Sequence, residues 1–144
     1  MSKTDLDIRF EPATATQARE LAPLVYESSH ELLDFMFGDR AAAEDALTRL
    51  IARPNGHFSY RFVTLLIVND QLGGLELGYG ARQLDAEELP GALNMLRAMP
   101  LKRWPHLFGP VNRALKGYVM PPSPDAYYIN NIAVQNEQRG AGLG

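Results

Sequence analysis

The far end of the chain limits its possible folds most. Ala126-Tyr127-Tyr128-Ile129-Asn130-Asn131-Ile132-Ala133-Val134 is a run rich in β-favouring residues, and a short step later comes Arg139-Gly140-Ala141-Gly142-Leu143-Gly144. The run holds too many apolar side chains for a strand wetted on one face, so it is expected to be central in a sheet. Glycines placed so soon after a buried strand have a chemical use. Without Cβ atoms, backbone N–H groups can turn into one concavity and an anion can come up to the main chain. A helix starting there would add its positive end. This is the chemistry of a phosphate site.

Three phosphate-loop patterns compete for these residues. A P-loop needs a Lys directly after its glycines, and none is present, which excludes it. A dinucleotide fingerprint needs G-x-G-x-x-G, whereas Gly140, Gly142 and Gly144 are one residue too closely spaced. The third pattern, [Gln/Arg]-x-x-Gly-x-[Gly/Ala] behind a central strand, is met in full by Arg139, Gly142 and Gly144.

The preceding residues read as alternating strand and helix. Leu6, Ile8 and Phe10 alternate with Asp7 and Arg9 as in a half-buried strand that Pro12 stops. Thr14 and Gln17 form a capping box for a helix whose face carries Leu21, Leu24, Val25, Ser28, Leu32, Phe35 and Met36, and Gly38 closes it. Asp39 caps a second helix with the stripe Ala43, Ala46, Leu47, Leu50 and Ile51. Phe62 to Val68 and Leu72 to Tyr79 flank Asn69-Asp70 as an antiparallel hairpin. Gly73, Gly74, Gly78 and Gly80 mark a bulge in it, or a place where another backbone or a ligand comes close. Asp85 and Glu88 can cap short helices carrying Leu89, Leu93, Leu96 and Met99, and Pro90, Pro100, Pro105 and Pro110 keep the stretch to Met120 in pieces.

Composition bounds the partners. The 144 residues suit one domain, and 14 Lys+Arg against 17 Asp+Glu leaves a net charge of −3, so nucleic acid is not an expected partner. With no cysteine there is no disulfide, no thiol nucleophile and no Cys-ligated metal. His30, His57 and His106 lack metal-ligand spacing, so no metal site is expected. The charged start lacks a secretory apolar stretch and no run is long enough to span a bilayer, so no membrane partner and a cytoplasmic location are expected.

Tyr127 to Gly144, behind the order strand, two helices, hairpin and strand, resembles the fourth strand and pyrophosphate loop of the GNAT superfamily of acyl-CoA-dependent N-acyltransferases. The resemblance implies an α/β fold with a mixed, mostly antiparallel central sheet flanked by helices. It also implies a single domain over 1–144 that lacks the family's C-terminal elements and carries a helical insertion at about 85–120. The implied reaction is direct attack of a small-molecule or peptide primary amine on acetyl-CoA as co-substrate, without a metal. The resemblance has the backbone of Ile132, Ala133 and Val134 pair with the pantetheine arm. The amides of Arg139, Gly140, Ala141, Gly142, Leu143 and Gly144 then hold the pyrophosphate, and the Ile132 N–H donates to the thioester carbonyl. Where some relatives carry Glu or His on this strand, the chain has Tyr128 and Asn130, which can order a water; Asn130 is the better suited because its amide both donates and accepts. The Tyr that protonates the departing thiolate in many relatives would lie beyond Gly144. Glu27 and Glu31 follow one helix face near the family's acceptor side and are the candidate amine-binding groups; such acids are more commonly a helix's wet face. The alternative is a truncated, non-catalytic acyl-CoA-binding module, or a homodimer joined through an exposed strand edge.

Overall fold

The computed structural model describes residues 5–118 and 123–143. Gly144, one of the expected loop residues, lies outside them. Four strands, β1 (Ile8–Pro12), β2 (Val63–Val68), β3 (Gln71–Gly80) and β4 (Tyr127–Val134), form one sheet in the order β1-β2-β3-β4, and every described pairing is antiparallel. Asn69 and Asp70 both take positive φ, 51° and 62°, the two-residue turn that matches the natural twist of a hairpin.

Helix α1 (Ala18–Ser28) packs on β3 and β4, and α2 (His30–Phe37) and α3 (Arg40–Ile51) pack on α1 and on each other. Their buried Leu21, Val25, Leu33, Leu47 and Ile51 pack in one core with Val63 and Leu65 of β2 and Leu75 and Leu77 of β3. The stripe expected for α3 is buried throughout, and Asp39 caps it by accepting the Ala42 N–H at 2.8 Å. The helix expected between Thr14 and Gly38 is instead two. Ser28 Oγ turns back to donate to the Val25 carbonyl at 2.7 Å, and Ser29 leaves helical geometry with φ −151°. Serine competes with the helix for backbone partners in this way.

Between β3 and β4 lie α4 (Ala81–Ala86), α5 (Glu88–Ala98), a short turn α6 (Trp104–His106), a wider turn over Leu107–Val111, and α7 (Asn112–Tyr118). The expected apolar face of α5 is largely turned out: Leu89 is 69% and Leu93 44% exposed. Asn94 is buried there instead, because its amide donates to the backbone and side-chain oxygens of Asn55 at 3.0 and 2.8 Å.

Two more expectations change at the edges of the sheet. β1 is exposed along its length, with Phe10 73% exposed and Arg9 paired to Asp7, Glu11 and Asp70. β4 was expected to be central and is the outer strand among the described residues. It has one neighbour, so Tyr127, Ile129 and Ile132 are 59%, 55% and 56% exposed.

The glycines of β3 do what their spacing suggested. Gly73 is the extra residue of a bulge against β2, where the register steps from Leu66↔Gly74 to Ile67↔Leu72. Gly74 lies so close to the Ala133 carbonyl of β4 that a Cβ would overlap it. Gly74→Ala is therefore expected to force β3 and β4 apart, at a cost of about 1–2 kcal/mol and a fall in Tm of several degrees. A melting curve that matches the parent protein's would show that the two strands are not this close.

Candidate active site

β4 carries a bulge of its own. Its register against β3 runs Leu77↔Asn131 and then Gly78↔Ile129, which leaves Asn130 as the unpaired extra residue. Bulges bend a strand and re-aim its side chains. Here Asn131 is buried, and its Nδ2 donates to Ser28 Oγ at 2.6 Å and to Ser29 Oγ at 3.2 Å, while Asn130 Nδ2 donates to Asn131 Oδ1 at 2.9 Å. One buried amide thus joins the bulge in β4 to the break between α1 and α2. The expected water-ordering role falls on an Asn130 already bonded through one of its amide hydrogens.

Below the bulge, the ladder decides which backbone groups are free. The Gln135 N–H donates to the Gly73 carbonyl at 2.7 Å, so Ala133 and Asn131 also turn their backbone groups towards β3, while Ile132 and Val134 turn theirs to the open edge. Ala133 is thereby corrected as a backbone partner for a ligand, since its N–H and C=O belong to the ladder. The outward carbonyl of Val134 receives Arg139 Nε at 3.0 Å. The Ile132 N–H and C=O and the Val134 N–H remain without a partner among the described residues.

The chain then turns through Asn136–Gln138 into the glycine loop. Gly140 and Gly142 take φ of +84° and +75°, and a Cβ on either would meet no atom within 4 Å. Positive φ favours glycine, and the space in front of both is open. The Arg139 amide donates to the Asn136 carbonyl at 3.2 Å and the Ala141 amide to the Gln138 carbonyl at 3.4 Å. Of the amides expected to face an anion, these two are already used; those of Gly140 and Gly142 have no partner among the described residues, and Leu143 is partly buried.

The expected acidic residues part company. Glu27 is bound by two cations, Arg139 at 3.3 Å and Arg40 at 3.6 Å. Glu31 is exposed on α2 with no ion partner among the described residues. A further carboxylate, to which the sequence did not point, lies beside Ile132. Glu76 of β3 is the cross-strand partner of Ile132, in a pair whose Cα atoms stand about 4.5 Å apart in such ladders. Its only described partner is the Tyr127 hydroxyl, which donates to it at 2.8 Å. Alternation in a glycine-rich strand could have pointed to Glu76, but its partner depends on where Asn130 shifts the register.

Two phenols near the bulge, those of Tyr79 and Tyr127, are shifted towards the neutral form. Tyr128 stacks on Tyr79 with centroids 5.9 Å apart and planes at 17°, and burial pushes the Tyr79 phenol up. Partial burial first, and then the hydrogen bond to Glu76, push the Tyr127 phenol up to about 12. Its ordinary value is about 10, so the fold favours the neutral form, and this contribution to stability is lost as pH rises from 10 through 12. In an ultraviolet titration, Tyr127→Phe is expected to remove amplitude from the late, alkaline part of the tyrosinate curve. Loss from the early part instead would mean that the Glu76 contact does not form in solution.

Among the described residues, no cluster of three His, Asp or Glu side chains is arranged to hold a metal, and no helix is long and apolar enough to cross a membrane. No protein-family profile matches the chain, and no curated protein matches it by sequence. Two solved structures match its shape. One is a crystal structure of an acetyltransferase, with TM-score 0.62 and 16% identity over 94% of this chain and 67% of that one. The other is an N-acetyltransferase from Staphylococcus aureus Mu50, with TM-score 0.59 and 19% identity over 94% of this chain and 69% of that one. The chain thus has a GNAT-like α/β fold and spans about two thirds of each of these proteins.

Proposed function

We propose that the chain transfers an acetyl group from acetyl-CoA to a primary amine by direct attack. The observation that carries this reading is the run of outward backbone groups on Ile132 and Val134 leading into a loop where Gly140 and Gly142 offer undonated amides in open space. Outward strand groups suit an extended, amide-bearing arm as they would an added strand. Positive-φ amides suit a diphosphate. The residues present therefore fit acetyl-CoA, which when bound supplies an acetyl group activated as a thioester.

In this reading the Gly140 and Gly142 amides bind the diphosphate, with Gly144 a further candidate, and the Val134 N–H binds the arm. The Ile132 N–H is the oxyanion donor, a role typically worth about 10²–10³ in rate. The amine must lose a proton, and Glu76 is the group best placed to take it: it neighbours Ile132 and bears only a neutral phenol. Glu27, by contrast, is neutralised by Arg139 and Arg40. Tyr128, stacked on Tyr79, shapes the wall beside the bulge rather than moving a proton.

Calorimetric titration with acetyl-CoA, followed by an assay of free thiol released with a panel of amines, tests the proposal. Binding together with amine-dependent thiol release supports it, and absence of binding overturns it. Binding without release for any amine would favour a non-catalytic acyl-CoA-binding module, a second reading supported by the exposed Ile129 and Ile132 along the β4 edge.

A further inference from the structure

Three consecutive residues, Glu27, Ser28 and Ser29, touch both halves of the candidate site. Ser28 and Ser29 hold Asn131 beneath the bulge, and Glu27 Oε2 accepts from Arg139 Nη2 at 3.3 Å. Arg139 is in turn fixed to the end of β4 through its Nε on the Val134 carbonyl at 3.0 Å. The guanidinium therefore bridges strand and helix immediately before Gly140. The other described hydrogen bonds of the loop are short-range ones, from the Arg139 amide to the Asn136 carbonyl at 3.2 Å and from the Ala141 amide to the Gln138 carbonyl at 3.4 Å, and Gly140 and Gly142 have no neighbour within 4 Å of where a Cβ would stand. Arg40 on the opposite oxygen of Glu27, at 3.6 Å, also stacks over Tyr26 and pairs with Glu44 at 2.7 Å, which holds the carboxylate from behind.

We infer that Glu27 is a positioning residue for the anion loop: through Arg139 it sets the direction of the Gly140 and Gly142 amides, and it does not recognise the acceptor amine. The role rests on the acyl-CoA reading above. It follows from charge. A carboxylate shared by two guanidinium groups attracts an amine weakly, while a planar guanidinium held at Nε and Nη2 by different partners is fixed in orientation.

The test compares Glu27→Gln with the parent protein in three measurements. Acetyl-CoA affinity by calorimetry is expected to fall roughly two- to fivefold, the range for a partly exposed ion pair. The KM for the amine and kcat are expected to stay within twofold. Amide hydrogen exchange of Arg139 and Ala141, the two hydrogen-bonded amides of the loop, measured without ligand, is expected to quicken by a similar factor. Arg139→Gln should give the same loss, and the double variant no more than either alone, because the pair acts as one unit. A parent protein that does not bind acetyl-CoA overturns the acyl-transfer reading and this role with it. A parent that binds, beside a Glu27→Gln variant with unchanged affinity and exchange, overturns the positioning role alone. A rise in the amine KM with cofactor affinity intact would return Glu27 to the acceptor side.

Discussion

Gly142→Val is expected to weaken acetyl-CoA binding by about 30-fold or more while leaving Tm nearly unchanged. The residue takes φ +75°, where an L-residue is strained and a β-branched one is more so. The site is otherwise roomy: a Cβ there meets no protein atom within 4 Å, so the substitution disturbs no packing. What it changes is the direction of the amide and the open space in front of it. Calorimetry and a melting curve on the same sample separate these effects. Full affinity in the variant would remove the glycine loop from the binding site, whereas lost affinity with an equal loss of Tm would mean that the loop supports the fold. Gly142→Ala should fall between the two, because it keeps the strain and adds less bulk.

Glu76→Gln is expected to lower kcat by about 10²–10⁴, the usual weight of a positioned base, with acetyl-CoA affinity within twofold of the parent. The glutamine keeps an oxygen for the Tyr127 hydroxyl, so the hydrogen bond survives and the charge is removed. Tyr127→Phe does the reverse and should cost only a few-fold, since the carboxylate remains. This ordering separates proton transfer from scaffolding: a structural role for Glu76 would make both variants similar. Undiminished kcat in Glu76→Gln would move the base elsewhere, with Glu31 as the next carboxylate to test.

The chain announced most of this fold through local signals. Asp39, Gly38 and the Asn69-Asp70 turn lie where their own chemistry puts them, and the buried stripe of α3 follows from helical period alone. The failures share a cause. The inward turn of Asn94, which leaves Leu89 exposed on the same helix, rests on hydrogen bonds to Asn55, and the break at Ser28–Ser29, begun by the local bond to Val25, is held by Asn131; no short window of sequence contains these distant partners. The same holds within the site. The glycine loop was legible because a positive φ is a local demand. That Ala133 belongs to the ladder and that Glu76 faces Ile132 depend on strand register, that Tyr127 reaches Glu76 follows the shift at Asn130, and that Arg139 meets Glu27 depends on a helix far back in the chain.

The buried amide of Asn131 has a consequence for how the molecule fails. Because one side chain fastens both the helical elbow at Ser28–Ser29 and the kinked outer strand, neither can loosen without releasing the other. Gentle warming should therefore open elbow and kink in a single local melting event, so that turnover fades at temperatures where the packed interior around Leu47 and Leu77 is still whole.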